Sequence, residues 1–433
     1  MRVFRFVAYF AFLLIFVSGN FGSAQAQTSG DEAPLNLGFE DLAGLEESLR
    51  NVVETKQLAN LSFEVWRDEQ LVRAGFYEPV SEKNPDTVSE TTIHRIYSMT
   101  KPVTAIGLLK LMERGAFRLD DPITKFLPEF EATEVLADSD ANGMFYTFLP
   151  PRPPTMMQLL SQTAGFAYGG GASGPVDQKL TEYRANEAPD SDTLIEIVSR
   201  VPYMSAPGAE WNYSIASDLQ GAIIERITGE SLDAFLKREI FDPLGMVDSG
   251  FYVGPQNLDR VSGMTHRVGS GFAYVDAESP SKEAQTKVYF EGGHGLFSTQ
   301  RDYTRFLSML VNEGELDGVR LLKPDTVSRF HTNAVEYRGR PSTMRGGGNL
   351  SGLGFGFGVA VLEDQQAAQM SAPRGTYYWW GAKGTWFWVD PVNRITFVGM
   401  IQTESELDTD LILLSMRQVY GPLPQPDPAS ATR

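Results

Sequence analysis

Ser98-Met99-Thr100-Lys101 sets a hydroxyl and an amine three residues apart. At the start of a helix such a pair shares one face, and the amine can take the serine proton once burial and nearby charge lower its pKa. The positive end of the helix dipole would favour the alkoxide that forms. The chemistry on offer is nucleophilic attack on an acyl group. A plain helix start with a solvated lysine has the same pattern, so the pair needs partners. Trp211-Asn212-Tyr213-Ser214 precedes a helical period of Ile215, Ala216, Leu219, Ile223 and Ile224. A tyrosine at a helix entrance can present its phenol to a cleft. Beside a cation, Tyr213 would serve as general base toward Ser98 and general acid toward a leaving group. The alternative is an aromatic plug with its hydroxyl satisfied locally. Third is Trp379-Trp380-Gly381-Ala382, entering a strand over 384–389. A glycine-lined strand edge lets a substrate lie along the backbone, and an N–H at Ala382 would join that of Ser98 around an oxyanion. As ordinary strand residues the two tryptophans would face opposite sides of a sheet.

Those side chains need elements to hold them. Spacing predicts an amphipathic helix over 39–57, strands over 61–65 and 71–76 around the turn Arg67-Asp68-Glu69, and a helix over 100–114 stopped by Gly115. Residues 127–283 carry mostly helical periods and long loops such as Pro150-Pro151-Arg152-Pro153-Pro154 and Gly169-Gly170-Gly171. A helix over 303–312 follows, then strands over 355–362, 384–390 and 395–402, the last two joined by Asp390-Pro391-Val392-Asn393. The expected fold is α+β. An antiparallel sheet flanked by helices is built from 37–126 and 284–421, with a mostly helical part, 127–283, inserted.

The chain has 433 residues, 42% hydrophobic and 11% aromatic, enough apolar material for a large core. Met1-Arg2-Val3-Phe4-Arg5, the apolar run 6–17 and Ala24-Gln25-Ala26 are the parts of a secretory signal peptide over 1–26, with a linker at 27–36. The run is shorter than the roughly 20 residues a spanning helix needs. The expectation is a periplasmic or secreted protein with no stable membrane insertion after cleavage and a disordered tail at 422–433. Losing Arg2 and Arg5 with the leader takes the formal charge from −18 to −20, which disfavours nucleic acid as a partner. The absence of cysteine excludes disulfides and thiolate catalysis. His94, His266, His294 and His331 lack paired ligand spacing, so neither metal nor cofactor is expected. His294 lies in Glu291-Gly292-Gly293-His294-Gly295, a loop that could approach the cleft. No Gly-x-Ser-x-Gly elbow occurs. The glycine alternation over 352–358 fits a closely packed strand rather than a phosphate loop.

The three motifs, in this order, resemble those of the serine β-lactamase and penicillin-binding-protein superfamily, and within it the class C-like branch that contains the family VIII carboxylesterases. The likeness runs from about Gly44 to Tyr420. It rests also on Leu119-Asp120-Asp121-Pro122, Pro207-Gly208, Phe241-Asp242-Pro243-Leu244-Gly245-Met246, Gly295-Leu296-Phe297-Ser298-Thr299 and Trp386-Phe387-Trp388-Val389-Asp390-Pro391. The resemblance implies Ser98 as the acylated nucleophile, Lys101 as its base partner, Tyr213 as the activating tyrosine, and a site between the sheet and the helical part.

Departures bear on substrate. Where the β-lactamase pattern has Lys-Thr-Gly, this chain has Trp379-Trp380-Gly381, so the cation that meets a substrate carboxylate is missing. By strand alternation Lys383 shares the face of Trp379 and Gly381 and could substitute for it, the other reading being a solvated strand lysine. Tyr213 is followed by Ser214-Ile215 rather than the class C asparagine, and Ser161-Gln162-Thr163-Ala164-Gly165 departs from His-Thr-Ser-Gly at Gln162 and Ala164. The leading expectation is a carboxylesterase on short acyl esters or lactones. The alternatives are a β-lactamase or D-amino-acid peptidase acting on amides, and a non-catalytic module binding cell wall or protein. The sequence leaves the oligomeric state open.

Overall fold

Leu61–Arg67 (β1) and Gln70–Tyr77 (β2) pair antiparallel because Asp68 and Glu69 both take left-handed backbone, with φ of 46° and 64°. Two such residues in a two-residue loop match the right-handed twist of the flanking strands. The computed structural model describes residues 42–423 apart from 57, 59, 79–87, 141–142, 171–173, 270, 276–288, 336–350 and 405–407. The expected signal peptide, the linker and all of the tail after 423 lie outside the described residues.

Five further strands complete the sheet: Leu353–Phe355 (β3), Ala360–Leu362 (β4), Tyr377–Gly381 (β5), Thr385–Asp390 (β6) and Ile395–Met400 (β7). The strand order is β3-β4-β5-β6-β7-β1-β2, antiparallel throughout, with Ser62 opposite Met400 where the beginning of the chain meets its end. The single strand expected over 355–362 is instead the β3–β4 hairpin. It breaks at Gly356-Phe357-Gly358-Val359, where Gly358 has φ of 88° and its α-carbon lies against the Lys101 backbone.

Five principal helices surround the sheet and the site: Ala43–Lys56 (α1), Thr100–Glu113 (α2), Ala216–Thr228 (α3), Gln300–Val311 (α4) and Asp408–Tyr420 (α5). The apolar stripe Leu45, Leu49 and Val53 of α1 is fully buried, worth about 1.5–3 kcal/mol for each side chain. α1 and α5 cover one sheet face, where Trp388 Nε1 donates to Ser415 Oγ at 3.1 Å. α4 covers the other, where Thr304 Oγ1 donates to Glu64 Oε2 at 3.0 Å.

α2 departs from the amphipathic pattern: Thr100 through Leu111 are all buried. A helix enclosed on every side must satisfy its own polar groups. Lys110 Nζ donates to the Glu239 carbonyl at 2.7 Å, and Arg114 joins it on the Glu239 carboxylate. The insert over 127–283 contains helices, as expected, but also two-stranded hairpins at 135–148 and 265–274 that helical periodicity concealed. Among the described residues, no helix is long and apolar enough to cross a membrane.

Candidate active site

Tyr97–Met99 form one 3-10 turn that runs directly into α2, with Ser98 at its centre. Tyr97 sits at φ 44°, a left-handed conformation that costs a non-glycine residue about 1–2 kcal/mol. The surroundings enforce it. Ile96 N–H donates to Leu296 O at 3.0 Å, and Tyr303 Oη donates to Met99 O at 2.9 Å. A Cβ at Gly381 would lie 2.4 Å from the Ile96 carbonyl oxygen, so only glycine lets the end of β5 press against the serine turn. Thr385 Oγ1 on β6 also donates to Ile96 O, at 3.3 Å.

One helical turn on, fully buried Lys101 donates from Nζ to Ser98 Oγ at 3.1 Å and to Gly293 O at 2.7 Å. Its Nζ lies 4.6 Å from the ring centre of Tyr213 and 5.6 Å from that of Tyr168. Burial pushes the ammonium toward the neutral amine, but the phenols of Tyr168 and Tyr213 and the carboxylate of Asp218 outweigh it, and the Lys101 pKa lies above the ordinary lysine value. This corrects the expectation of an amine made basic by a lowered pKa. Burial beside these groups takes the Tyr168 phenol up to about 12.

Tyr213 Oη donates to Ser98 Oγ at 2.7 Å, the span over which a proton passes between them. Lys101 and Tyr213 therefore converge on one oxygen. To accept the serine proton Tyr213 would have to be the phenolate, and the Lys101 ammonium beside its ring is placed to stabilise that anion. The ring stacks on Tyr168 with centroids 5.3 Å apart and lies 5.5 Å from Trp379.

The tyrosine loop is held from a position that sequence reasoning saw only as a departure. Gln162, at φ 60° and buried, accepts Asn212 N–H on its main-chain oxygen at 2.9 Å. Its side-chain oxygen accepts Ser214 N–H at 3.0 Å and Ser214 Oγ–H at 2.6 Å, and its Nε2 donates to Ser217 Oγ at 3.2 Å. Both neighbours of Tyr213 are thus fixed. Gln162→Ala is expected to lower kcat/KM about ten- to a hundredfold, because misplacing a reacting group by an ångström costs that order. Steady-state kinetics with a melting curve checks this, and wild-type kinetics would show that the loop holds itself.

The third motif is split by the structure. Trp379 lies on β5, not on the strand that follows, and only 1% of it is exposed. It sits 5.3 Å from Phe355, and its Nε1 has no acceptor among the described residues. Trp380 is half-buried, its ring 4.6 Å from that of Trp379 and stacked on Tyr378, its neighbour two residues back. Ala382 is exposed at the end of β5, next to Gly381 and the serine turn. Lys383 does not share the strand face of Trp379: it is in the turn to β6, where strand alternation does not apply. Its Nζ lies 3.6 Å from the Glu404 carboxylate. His294 pairs with Glu291 at 3.4 Å rather than meeting Ser98, while its neighbour Gly293 meets Lys101. Tyr168, Asp218 and Gly293 were not foreseen in the site. Among the described residues, no group of three or more His, Asp or Glu could hold a metal ion.

A model of the Beta-lactamase family matches residues 45–415. "Protein Rv1367c" of Mycobacterium tuberculosis (strain ATCC 25618 / H37Rv) is 31% identical over 376 residues, 86% of this chain and 92% of that protein. Esterase EstB of Burkholderia gladioli is 29% identical over 77% of this chain and 83% of its own length. Among solved structures, EstCE1, described as a hydrolase with promiscuous acyltransferase activity, aligns with a TM-score of 0.73 at 22% identity, covering 88% of this chain and 99% of that one.

Proposed function

The chain belongs to the beta-lactamase family, and from that premise we propose that it is a carboxylesterase that forms an acyl-enzyme on Ser98. The observation that carries this is the convergence of Lys101 Nζ, at 3.1 Å, and Tyr213 Oη, at 2.7 Å, on Ser98 Oγ. Tyr213, as the phenolate that the Lys101 ammonium stabilises, takes the serine proton as Oγ attacks the ester carbonyl and becomes the neutral phenol. The N–H groups of Ser98 and Ala382 receive the oxyanion. The ester C–O bond breaks, the leaving alkoxide takes the proton from Tyr213, and a water then repeats the sequence to release the acid.

Substrate preference follows from Trp379. At 1% exposure its indole offers a substrate neither the formal charge that an anion anchor would need nor an accessible N–H. Lys383 is paired elsewhere, and the kinship with proteins named as esterases points the same way. A charge-assisted hydrogen bond is worth about 1.5–3 kcal/mol, roughly ten- to over a hundredfold in rate. Short p-nitrophenyl esters should therefore exceed a chromogenic cephalosporin in kcat/KM by about a hundredfold, and Lys383→Ala should move neither by more than about twofold. The wild-type comparison is cleaner than Trp379→Lys, which would put a charge into an apolar cluster. Faster turnover of the cephalosporin, or its selective loss in Lys383→Ala, would replace this reading with a β-lactamase.

A further inference from the structure

Behind Lys101 runs the strap Glu291-Gly292-Gly293-His294, threaded between α2 and α3. Thr104 Oγ1 of α2 donates to Gly292 O at 2.8 Å, and Lys101 Nζ donates to Gly293 O at 2.7 Å. From α3, the buried carboxylate of Asp218 accepts Gly293 N–H on Oδ1 at 3.0 Å. The strap has no room for side chains. A Cβ at Gly292 would lie 2.5 Å from Ser217 O, and one at Gly293 would lie 2.7 Å from Asp218 Oδ2. Gly293 N–H and Gly292 O belong to one peptide, held at its two ends by Asp218 and Thr104, and Gly293 O belongs to the next, joined to it at the Gly293 α-carbon.

We propose that Asp218 is a positioning residue for Ser98 activation: by anchoring the Gly292–Gly293 peptide to α3 it holds in place the strap whose next carbonyl, Gly293 O, receives Lys101 Nζ beside Ser98 Oγ. It also places a carboxylate near that cation. The inference rests on the acyl-enzyme reading of Ser98. The charged and titratable groups around the pair are Tyr168 and Tyr213 beside Lys101, and Glu291, His294 and Tyr289 beside Asp218. Asp218 is among the groups that raise the Lys101 pKa, and burial raises its own carboxyl.

The sign follows. Lys101 acts as the ammonium, so activity is lost as pH rises through its pKa. Removing a nearby carboxylate lowers that pKa and moves the alkaline limb to lower pH. The test is the rate of fluorophosphonate labelling of the full chain against pH, for wild type, Asp218→Asn and Asp218→Ala, each checked for folding by circular dichroism. Asn keeps an acceptor for Gly293 N–H and loses the charge; it is expected to stay within about threefold of wild type at neutral pH with the alkaline limb shifted down. Ala loses both and is expected to label about tenfold or more slowly. Wild-type rates in folded Asp218→Ala overturn the inference. Should that variant not fold, an unshifted limb in Asp218→Asn overturns it. Failure of the acyl-enzyme reading is distinct: wild type itself would then not label at Ser98.

Discussion

Ser98→Ala is expected to abolish turnover of every ester the wild type accepts, lowering kcat about 10⁴-fold or more, the scale on which removing a nucleophile acts. The size follows from the geometry. Lys101 and Tyr213 both point at Ser98 Oγ, so alanine leaves a cation and a phenol with no atom to activate, and the acyl-enzyme pathway is closed at its first bond. The residue is 8% exposed in a turn braced from β5, β6 and α4, and loss of one hydroxyl there leaves the bracing bonds in place. A fluorophosphonate should add one adduct to the wild-type peptide containing Ser98 and none to the variant. Label on another peptide, or turnover surviving in Ser98→Ala, would end the mechanism.

Tyr213→Phe comes next, with an expected loss of about 10²–10⁴-fold in kcat, the usual contribution of a positioned acid–base group. This variant isolates one atom. The ring contacts with Tyr168, Trp211 and Trp379 do not use Oη, and the loop is gripped by Gln162 through its neighbours. Melting temperature should hardly change while the rate falls. A loss below tenfold would assign the proton to Lys101 acting as a neutral amine, against the phenols and carboxylate that keep it charged.

The meeting of Ser98, Lys101 and Tyr213 was legible because two of them share a helix start and all three stand in local motifs. The sheet was legible from alternating strands at both ends. What escaped depends on partners far apart in sequence. Asp218 lies 75 residues from Gly293, and Gly293 lies 192 from Lys101, so neither an ordinary helix aspartate nor a loop glycine carries a local sign of the contact. The direction of the Lys101 shift escaped for the same reason: burial shows in an apolar helix, but the groups that oppose it come from Tyr168, Tyr213 and Asp218. Lys383 was misplaced because alternation was carried past the end of β5 into a turn, and the β3–β4 hairpin because a glycine break looked like strand.

The seam where β1 is clasped between β2 and β7 also sets an order of events during synthesis. Ser98 leaves the ribosome early, yet Gly381 and Thr385, which close upon the Ile96 carbonyl, arrive almost three hundred residues later, Thr385 lying 289 positions beyond Ile96. Until Ile395–Met400 follows, β1 keeps one edge unpaired, open to any passing strand. Pairing at such separation is slow to form. Ser98 is thus made first and enclosed last, and a nascent or C-terminally truncated chain carries it without the contacts that brace its turn at the Ile96 carbonyl.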